Sequence, residues 1–159
     1  MSTTSTYPAV ADALLSGVNG AMTGALAGVK AYEAWPGPDA VPEMIVLGKV
    51  SWSDGSDGTR IATIKSGRKQ RDEEWSVQFE LIVAVEGTAV PTDPSPARDR
   101  AFAILAAVED LLALDVTAGT SFAVVQWVEV KPDEAECRIF EKGWGYLIGG
   151  RFSCRARLL

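Results

Sequence analysis

The feature that most constrains the fold is a strict alternation of apolar and polar residues between Glu73 and Glu86. Six apolar side chains occupy every second position: Trp75, Val77, Phe79, Leu81, Val83 and Val85. Polar side chains fill most of the intervening positions: Glu74, Ser76, Gln78, Glu80 and Glu86. Because successive side chains of a strand point to opposite faces, this pattern predicts a long strand with one face on the core. We expect it to be the central strand of an antiparallel sheet.

Two further stretches have the apolar spacing of helices. The first begins near Pro8, a residue suited to a first helical turn, and has six apolar positions: Val10, Leu14, Leu15, Val18, Met22 and Ala25. The Gly20-Gly24-Gly28 spacing predicts close packing of this helix on the sheet. The second runs from about Pro96 to Leu114 and has its own apolar stripe: Ala101, Ile104, Leu105, Val108, Leu111 and Leu112. We expect the second helix to cover the apolar face of the central strand.

Short extended segments complete the predicted fold. Strands are expected over residues 29–32, 44–52, 59–65, 122–130, 135–141 and 147–158. A turn at 53–58 would join the second and third of these as a hairpin, and Lys131-Pro132-Asp133 would form another turn. Residues 1–6 are predicted to be a polar, mobile leader. The prediction is a single α+β domain over residues 1–159, with a mostly antiparallel sheet and two main helices packed on one face.

Composition argues against several classes of function. The 159 residues have a formal net charge of -6 and contain no His. Nonspecific nucleic-acid binding needs clustered Lys and Arg, and most nucleophilic triads and catalytic zinc sites need His. We therefore expect a protein that is not an enzyme and has no metal or cofactor. Cys137 and Cys154 form no CxxC unit and are expected to be reduced and buried. The N-terminal region has neither a signal peptide nor a membrane span in its pattern.

Charged residues are the candidate interaction sites. The stretch 60–71 carries five positive charges and no acid, and its Lys65, Arg68, Lys69 and Arg71 suit a loop that contacts another protein. We expect this loop to be mobile in the isolated subunit and to become ordered on assembly. Asp54 and Asp57 lie in the predicted turn, where a calcium site is far less favoured than a plain hairpin turn. Arg151, Arg155 and Arg157 are expected to face acids on a neighbouring strand or a neighbouring subunit.

The order of these elements resembles the tail terminator proteins of long-tailed, siphovirus-type phages that infect actinobacteria. Three stretches carry the resemblance: ALAGVKAYEAWPGPDAVPEMIVLGKVSW, EEWSVQFELIVAVEGTAVPTDPSPARDRAFAILAAVEDLL and GWGYLIGGRFSCRARLL. The resemblance implies a small α+β fold and a structural, non-enzymatic role. It implies a homo-hexameric ring that caps the tail tube, ends its polymerisation and offers a docking surface to the head connector. Its partners would be the major tail tube protein and a head-completion or connector protein.

The same resemblance implies a location at the head-proximal end of the virion tail, after assembly in the host cytoplasm. DNA would pass through the central hole without specific binding, and an acidic lumen would repel it. Two alternatives remain open. One is another neck or head-completion protein. The other is a small-molecule-binding α+β domain with a pocket lined by Trp52, Trp75 and Trp127.

Overall fold

The computed structural model describes residues 5–52, 61–62, 70–86, 93–114, 123–140 and 143–158. Its two α-helices are α1 (Tyr7–Asn19) and α2 (Ser95–Leu114), and a short 3-10 turn spans Gly37–Asp39. The strands are β1 (Lys30–Tyr32), β2 (Glu43–Trp52), β3 (Ile61–Ala62), β4 (Gln70–Glu86), β5 (Ala123–Phe140) and β6 (Gly143–Leu158).

The described strands form a mixed sheet in which β4 is central. The order is β1-β2-β4-β6-β5, with the short β3 also paired to β4. Only the β1–β2 pair is parallel among these pairings, and the others are antiparallel. The predicted α+β class, the mostly antiparallel sheet and the central strand are therefore confirmed. The strand begins at Gln70 and so extends three residues before the predicted start at Glu73.

One face of the sheet packs against both helices and holds the main core. Trp75, Phe79 and Leu81 are all at most 2% exposed and share this core with α2 residues such as Ile104 and Val108. Phe79 stacks on Phe152 of β6 with ring centroids 4.3 Å apart. The expectation that alternate residues of β4 face the second helix is confirmed, because the two periodic patterns meet in one cluster.

Helix α1 is shorter than the apolar spacing predicts. It ends at Asn19, whose side-chain amide pairs with the backbone of Ala31: the Ala31 N–H donates to Oδ1 at 2.8 Å, and Nδ2 donates to the carbonyl at 3.1 Å. The prediction that Met22 lies on the buried face of a longer helix is wrong, since Met22 is 88% exposed. The helix stops because Asn19 ties its last turn to β1.

The predicted role of the glycines is also wrong. Gly20 is the C-terminal cap of α1, and Gly24 and Gly28 have φ of 76° and 81° in the following turns, with open space around them. These turns need glycine for its conformational freedom. The close packing instead occurs at Gly17, where an added Cβ would lie 2.6 Å from Cδ2 of Leu111 in α2.

The predicted hairpin between residues 44–52 and 59–65 does not form among the described residues. Trp52, the last residue of β2, lies opposite Trp75 of β4, and Ile61 of β3 lies opposite Arg71 of the same strand. Strands β2 and β3 therefore follow one another along one edge of β4 in the same direction. Strand β3 pairs with β4 and not with β2 as predicted, because β4 is long enough to pair with both segments.

The predicted turn at Lys131-Pro132-Asp133 is wrong as well. Strand β5 continues through it from Ala123 to Phe140 and pairs along its length with β6. A register shift between Pro132 and Glu134 absorbs the proline as a bulge. Pro132 is tolerated here because β5 is an edge strand of the described sheet. No further strand on its outer side therefore lacks a hydrogen bond from the missing N–H. Gly143, Trp144 and Gly145 begin the neighbouring strand β6.

Candidate assembly surface

The face of the sheet opposite the helices has a regular arrangement of polar and charged side chains. Cross-strand register places Glu74 opposite Arg155, Ser76 opposite Ser153, and Gln78 opposite Arg151. Strand β5 adds Glu129 opposite Ser153 and Lys131 opposite Arg151. Directly opposite residues of paired strands share a face, so these side chains form one charged surface across β4, β6 and β5. We call this the charged face.

Ion pairs on the charged face link neighbouring charges. Arg151 donates from Nε to Oδ2 of Asp133 at 3.1 Å, and Lys131 lies 3.3 Å from Glu129. The expectation that Arg151 faces an acid on a neighbouring strand is confirmed by the Asp133 contact. All four side chains are about half exposed, so each pair adds little to stability. Their positions leave the charges available to a partner surface.

A transverse cleft crosses the charged face where two strands bulge at the same level. The β2 register shifts between Leu47 and Val50, and the β5 register shifts between Pro132 and Glu134. The cleft has a volume of about 330 Å³ and a lining drawn from four strands: Val46, Leu47, Gly48, Gln78, Phe79, Glu80, Asp133, Glu134, Gly149 and Gly150. Bulges bend the strands that contain them, which makes this part of the sheet concave.

A small apolar cluster lies on the same side of the sheet, next to the loop after β1. Its buried members are Met44, Val46, Ile82 and Leu147, with Tyr32, Val41 and Ala84 packed around them. An adjoining cavity of about 230 Å³ is bordered by Trp35, which is 61% exposed. The alternation in β4 gave no signal for this second cluster, because Ile82 and Ala84 occupy positions on the polar face.

A buried polar cluster anchors the start of the chain to β4. Glu73 is 7% exposed and accepts hydrogen bonds at Oε2 from the backbone N–H and the hydroxyl of Thr6, both at 2.8 Å. The indole N–H of Trp52 donates to Oε1 of Glu73 at 3.0 Å, and that of Trp75 donates to the Thr6 hydroxyl at 3.0 Å. The predicted mobile leader is therefore wrong at Thr6, which is fully buried. The sequence showed only a polar residue before a helix.

This cluster also bears on the predicted tryptophan pocket. Trp52 and Trp75 lie opposite one another, but both indole N–H groups are engaged with the cluster. The space beside Trp75 measures about 10 Å³, which is room for about one water molecule. The space described beside Trp75 is therefore too small for a metabolite. The third predicted member, Trp127, has a side chain outside the described part of the structure.

Several predicted site residues lie outside the described part of the structure, either entirely or with their side chains. Asp54, Asp57, Lys65, Arg68 and Lys69 lie outside the described residues. The backbones of Arg71 and Arg157 belong to β4 and β6, where Arg71 is opposite Leu158 and Arg157 is opposite Asp72. Register thus puts an acid opposite Arg157, as it does for Arg155 with Glu74. The contacts of these residues with other subunits stay predictions.

The two cysteines have opposite environments. Cys154 is fully buried, and burial, with a contribution from the Glu73 carboxylate, raises the pKa of its thiol to about 12. Cys137 is exposed, so the prediction that both cysteines are buried is wrong for this one. Its position in β5 explains the exposure, because neither helix covers that end of the strand. Within the described residues the two thiols are free.

No group of three or more His, Cys, Asp or Glu side chains in the described ranges is placed to hold a metal ion. Neither described helix is long and apolar enough to cross a membrane.

Comparison with known proteins shows that several solved chains have a similar structure. No protein-family model matches the chain, and no curated protein matches it in sequence. A chain in the solved virion of a native gene transfer agent particle is similar to it with a TM-score of 0.44 and 22% identity. The match covers 95% of this chain and 90% of that chain. A likeness of this size assigns neither a family nor a function.

Proposed function

We propose that the chain is a structural virion protein that caps the phage tail tube as a six-membered ring. In this role it ends polymerisation of the tube and provides the docking surface for the head connector. The charged face supports the proposal best. The sheet has helices on one side and, on the other, a broad surface of acidic, basic and amide side chains that includes Glu74, Gln78, Arg151 and Arg155.

The physical argument starts from what such a surface can do. Charged side chains in fixed register make a surface that selects partners by complementary potential and discriminates against like charge. A regular sheet holds that register rigidly, which suits a subunit that must present the same contacts in every copy of a ring. The fold also agrees with the small α+β domain that the resemblance to tail terminators implies. The net charge of -6 suits a ring through which DNA passes without sticking.

The decisive experiment removes the protein from the particle. Deletion of its gene should give tails of uncontrolled length that fail to join heads, and the full-length chain supplied in trans should restore infectious particles. A deletion that leaves tail length normal but blocks head joining would favour the alternative of a different neck or head-completion protein. Normal particles without the gene would contradict a structural role of either kind.

The basic stretch provides a sharper test of the contacts. Replacing Arg68, Lys69 and Arg71 together with Ser should leave the melting temperature nearly unchanged, while the complemented tails lack a functional cap. A matched control replaces Arg98 with Ser, because Arg98 is an exposed cation on α2 that contacts only its neighbour Asp99 among the ion pairs observed. Full infectivity of the triple variant would show that the stretch is a solvated connection.

A further inference from the structure

Within the described ranges of the chain, the outer edge of β5 has no strand beside it and belongs to no contact given above. Strand β5 ends the strand order, and every side chain from Lys131 to Ile139 is exposed on either face of the strand. An uncovered edge presents a row of backbone N–H and C=O groups that can pair with another strand. The bulge at Pro132–Asp133 bends one end of this edge, and β5 itself ends at Phe140. The segment 134–140 is therefore the stretch able to extend the sheet.

The side chains of this segment divide cleanly between the two faces. Glu134, Glu136 and Arg138 lie opposite Gly149, Leu147 and Gly145 of β6, which puts them on the helix-free side. Ala135, Cys137 and Ile139 lie opposite Ile148, Tyr146 and Trp144, on the helix side. Ile139 is 68% exposed although it is apolar. On the helix-free side Arg138 donates to the Glu136 carboxylate of the same strand, so the edge carries two opposite charges close together.

We propose that two copies of this chain join edge to edge, with their β5 strands antiparallel and a two-fold axis at Cys137. In this register Glu136 of each copy lies opposite Arg138 of the other, and Ala135 of each copy lies opposite Ile139 of the other. The two opposite-charge pairs fall on the helix-free side and the two apolar pairs on the helix side. Within residues 135–139, each directly opposite pair on either side of Cys137 is thus of a favourable kind for an antiparallel sheet.

The two neighbouring registers with a charged residue on the axis are unfavourable, because they place like charges directly opposite one another. A two-fold axis at Glu136 would put the two Glu136 carboxylates opposite one another, and an axis at Arg138 would do the same for the two guanidinium groups. Like charges directly opposite each other destabilise a strand pair. Centring on Cys137 avoids both and keeps the helices of the two copies on the same side of a continuous sheet. Of these three registers, only the one centred on Cys137 is self-complementary, as a two-fold interface requires.

The pairing makes a geometric prediction about Cys137. Directly opposite Cα atoms of antiparallel strands are about 4.5 or 5.5 Å apart, depending on the hydrogen-bonding position. Both distances lie within the range of about 4.4–6.8 Å that a disulfide spans. A mild thiol oxidant such as diamide, which takes up the two electrons and two protons released by two thiols, should therefore link the two Cys137 residues. The link reports the register and is not needed for the pairing.

The test uses two charge variants of the full chain. In a dimer of Glu136→Arg alone, both charge pairs across the interface would be Arg opposite Arg. In a dimer of Arg138→Glu alone, both would be Glu opposite Glu. Each variant should lose dimer association by about tenfold or more in analytical ultracentrifugation, relative to the wild type. An equimolar mixture of the two should recover a heterodimer, because every charge pair across the interface is then opposite in sign. Their melting temperatures, measured separately, check that each variant is folded.

The crosslink supplies the second readout. Wild-type chain and the mixture should give a disulfide-linked dimer on a non-reducing gel, whereas each variant alone should not. Cys137→Ser should abolish the crosslink and keep the sedimenting dimer. Three results would overturn the proposal: a wild-type chain that is monomeric at about 0.1 mM, a mixture that associates no better than its components, or a dimer without a Cys137 link. This pairing does not depend on the tail-capping function, since it is measured on free protein without tubes or heads.

Discussion

Thr6 donates both its backbone N–H and its hydroxyl to the same oxygen of Glu73, 67 positions further along the chain, with both distances at 2.8 Å. The hydroxyl also accepts from the indole N–H of Trp75. A buried carboxylate is expensive to desolvate unless it is hydrogen-bonded, and this one has three donors from neutral groups. The start of α1 is therefore fixed to the centre of the sheet by polar contacts inside an apolar core.

The first prediction concerns this contact. Thr6→Val should lower the free energy of unfolding by about 1–3 kcal/mol, because it removes a donor to Glu73 and leaves the Trp75 N–H without its acceptor. Thr6→Ser is the matched control, since it keeps the hydroxyl and should lose clearly less. Urea denaturation followed by tryptophan fluorescence measures both. Equal stability of the valine variant and the wild type would mean that the hydroxyl is not needed in the core.

The second prediction compares two phenylalanines. Phe79 is 2% exposed and stacked on Phe152, so Phe79→Ala should cost about 3–5 kcal/mol as a core aromatic truncation. Phe102 is 43% exposed on α2 and contacts Tyr146 at its edge, so Phe102→Ala should cost much less. Chemical denaturation at neutral pH gives both values. A loss below about 1 kcal/mol at Phe79 would place the apolar face of β4 outside the core.

The third prediction compares two glycines of the sheet. An added Cβ at Gly150 would lie 2.3 Å from the carbonyl oxygen of Lys131 and 2.9 Å from Phe79, so Gly150→Ala must displace the backbone of the β5 bulge. We expect a loss of about 1–3 kcal/mol, the usual cost of overpacking. At Gly48 the nearest atom would be an ordinary 3.5 Å away, so Gly48→Ala should be tolerated. Similar melting temperatures for the two variants would contradict the close approach of the β5 bulge to Gly150.

The fourth prediction is a dependence of stability on alkaline pH. The folded chain holds the Cys154 proton up to a pKa of about 12, whereas the ordinary value is 9.0. Above pH 9 the unfolded state therefore loses this proton first, and the equilibrium shifts toward unfolding. The thiol's contribution to the free energy of unfolding should be constant below that pH. It should fall by about 1.4 kcal/mol per pH unit between the two pKa values.

Cys154→Ala isolates the contribution of this thiol from that of other groups that titrate at high pH. The variant is expected to be less stable at pH 7, because it loses buried volume, but to show a shallower decline above pH 9. A thiol reagent applied at neutral pH should modify one residue per folded chain, Cys137, and two after unfolding. Parallel pH profiles of variant and wild type would contradict the raised pKa.

Periodic patterns predicted the parts of this fold in which one face of an element meets the core. The alternation from Trp75 to Val83 and the stripe from Ala101 to Leu112 both depend on repeated burial, and both were correct. Local turn signals were less reliable, because tertiary pairing can override them. Lys131-Pro132-Asp133 has the composition of a turn, yet an edge strand accommodates the proline in a bulge.

The candidate surface was harder to predict for a related reason. Arg151 was expected to meet an acid on a neighbouring strand, and alternation along β6 was enough to place it on the outer face. Its actual partner, Asp133, depends on the bulge that shifts β5 by one residue, and no single-strand pattern contains that information. The exposure of Cys137 and the burial of Thr6 likewise depend on which parts of the sheet the helices reach.

The collinear arrangement of β2 and β3 has a practical consequence for labelling the protein. Trp52 and Ile61 are held by β4 residues only four positions apart, Trp75 and Arg71, which is about 13 Å along a strand. The eight residues between them join these two fixed points of the sheet. A peptide tag or a fluorophore-binding sequence inserted there would lengthen a connection whose two ends stay anchored, so we expect the strand register on both sides to be unchanged. Residues 53–60 are therefore a natural insertion point for an imaging handle.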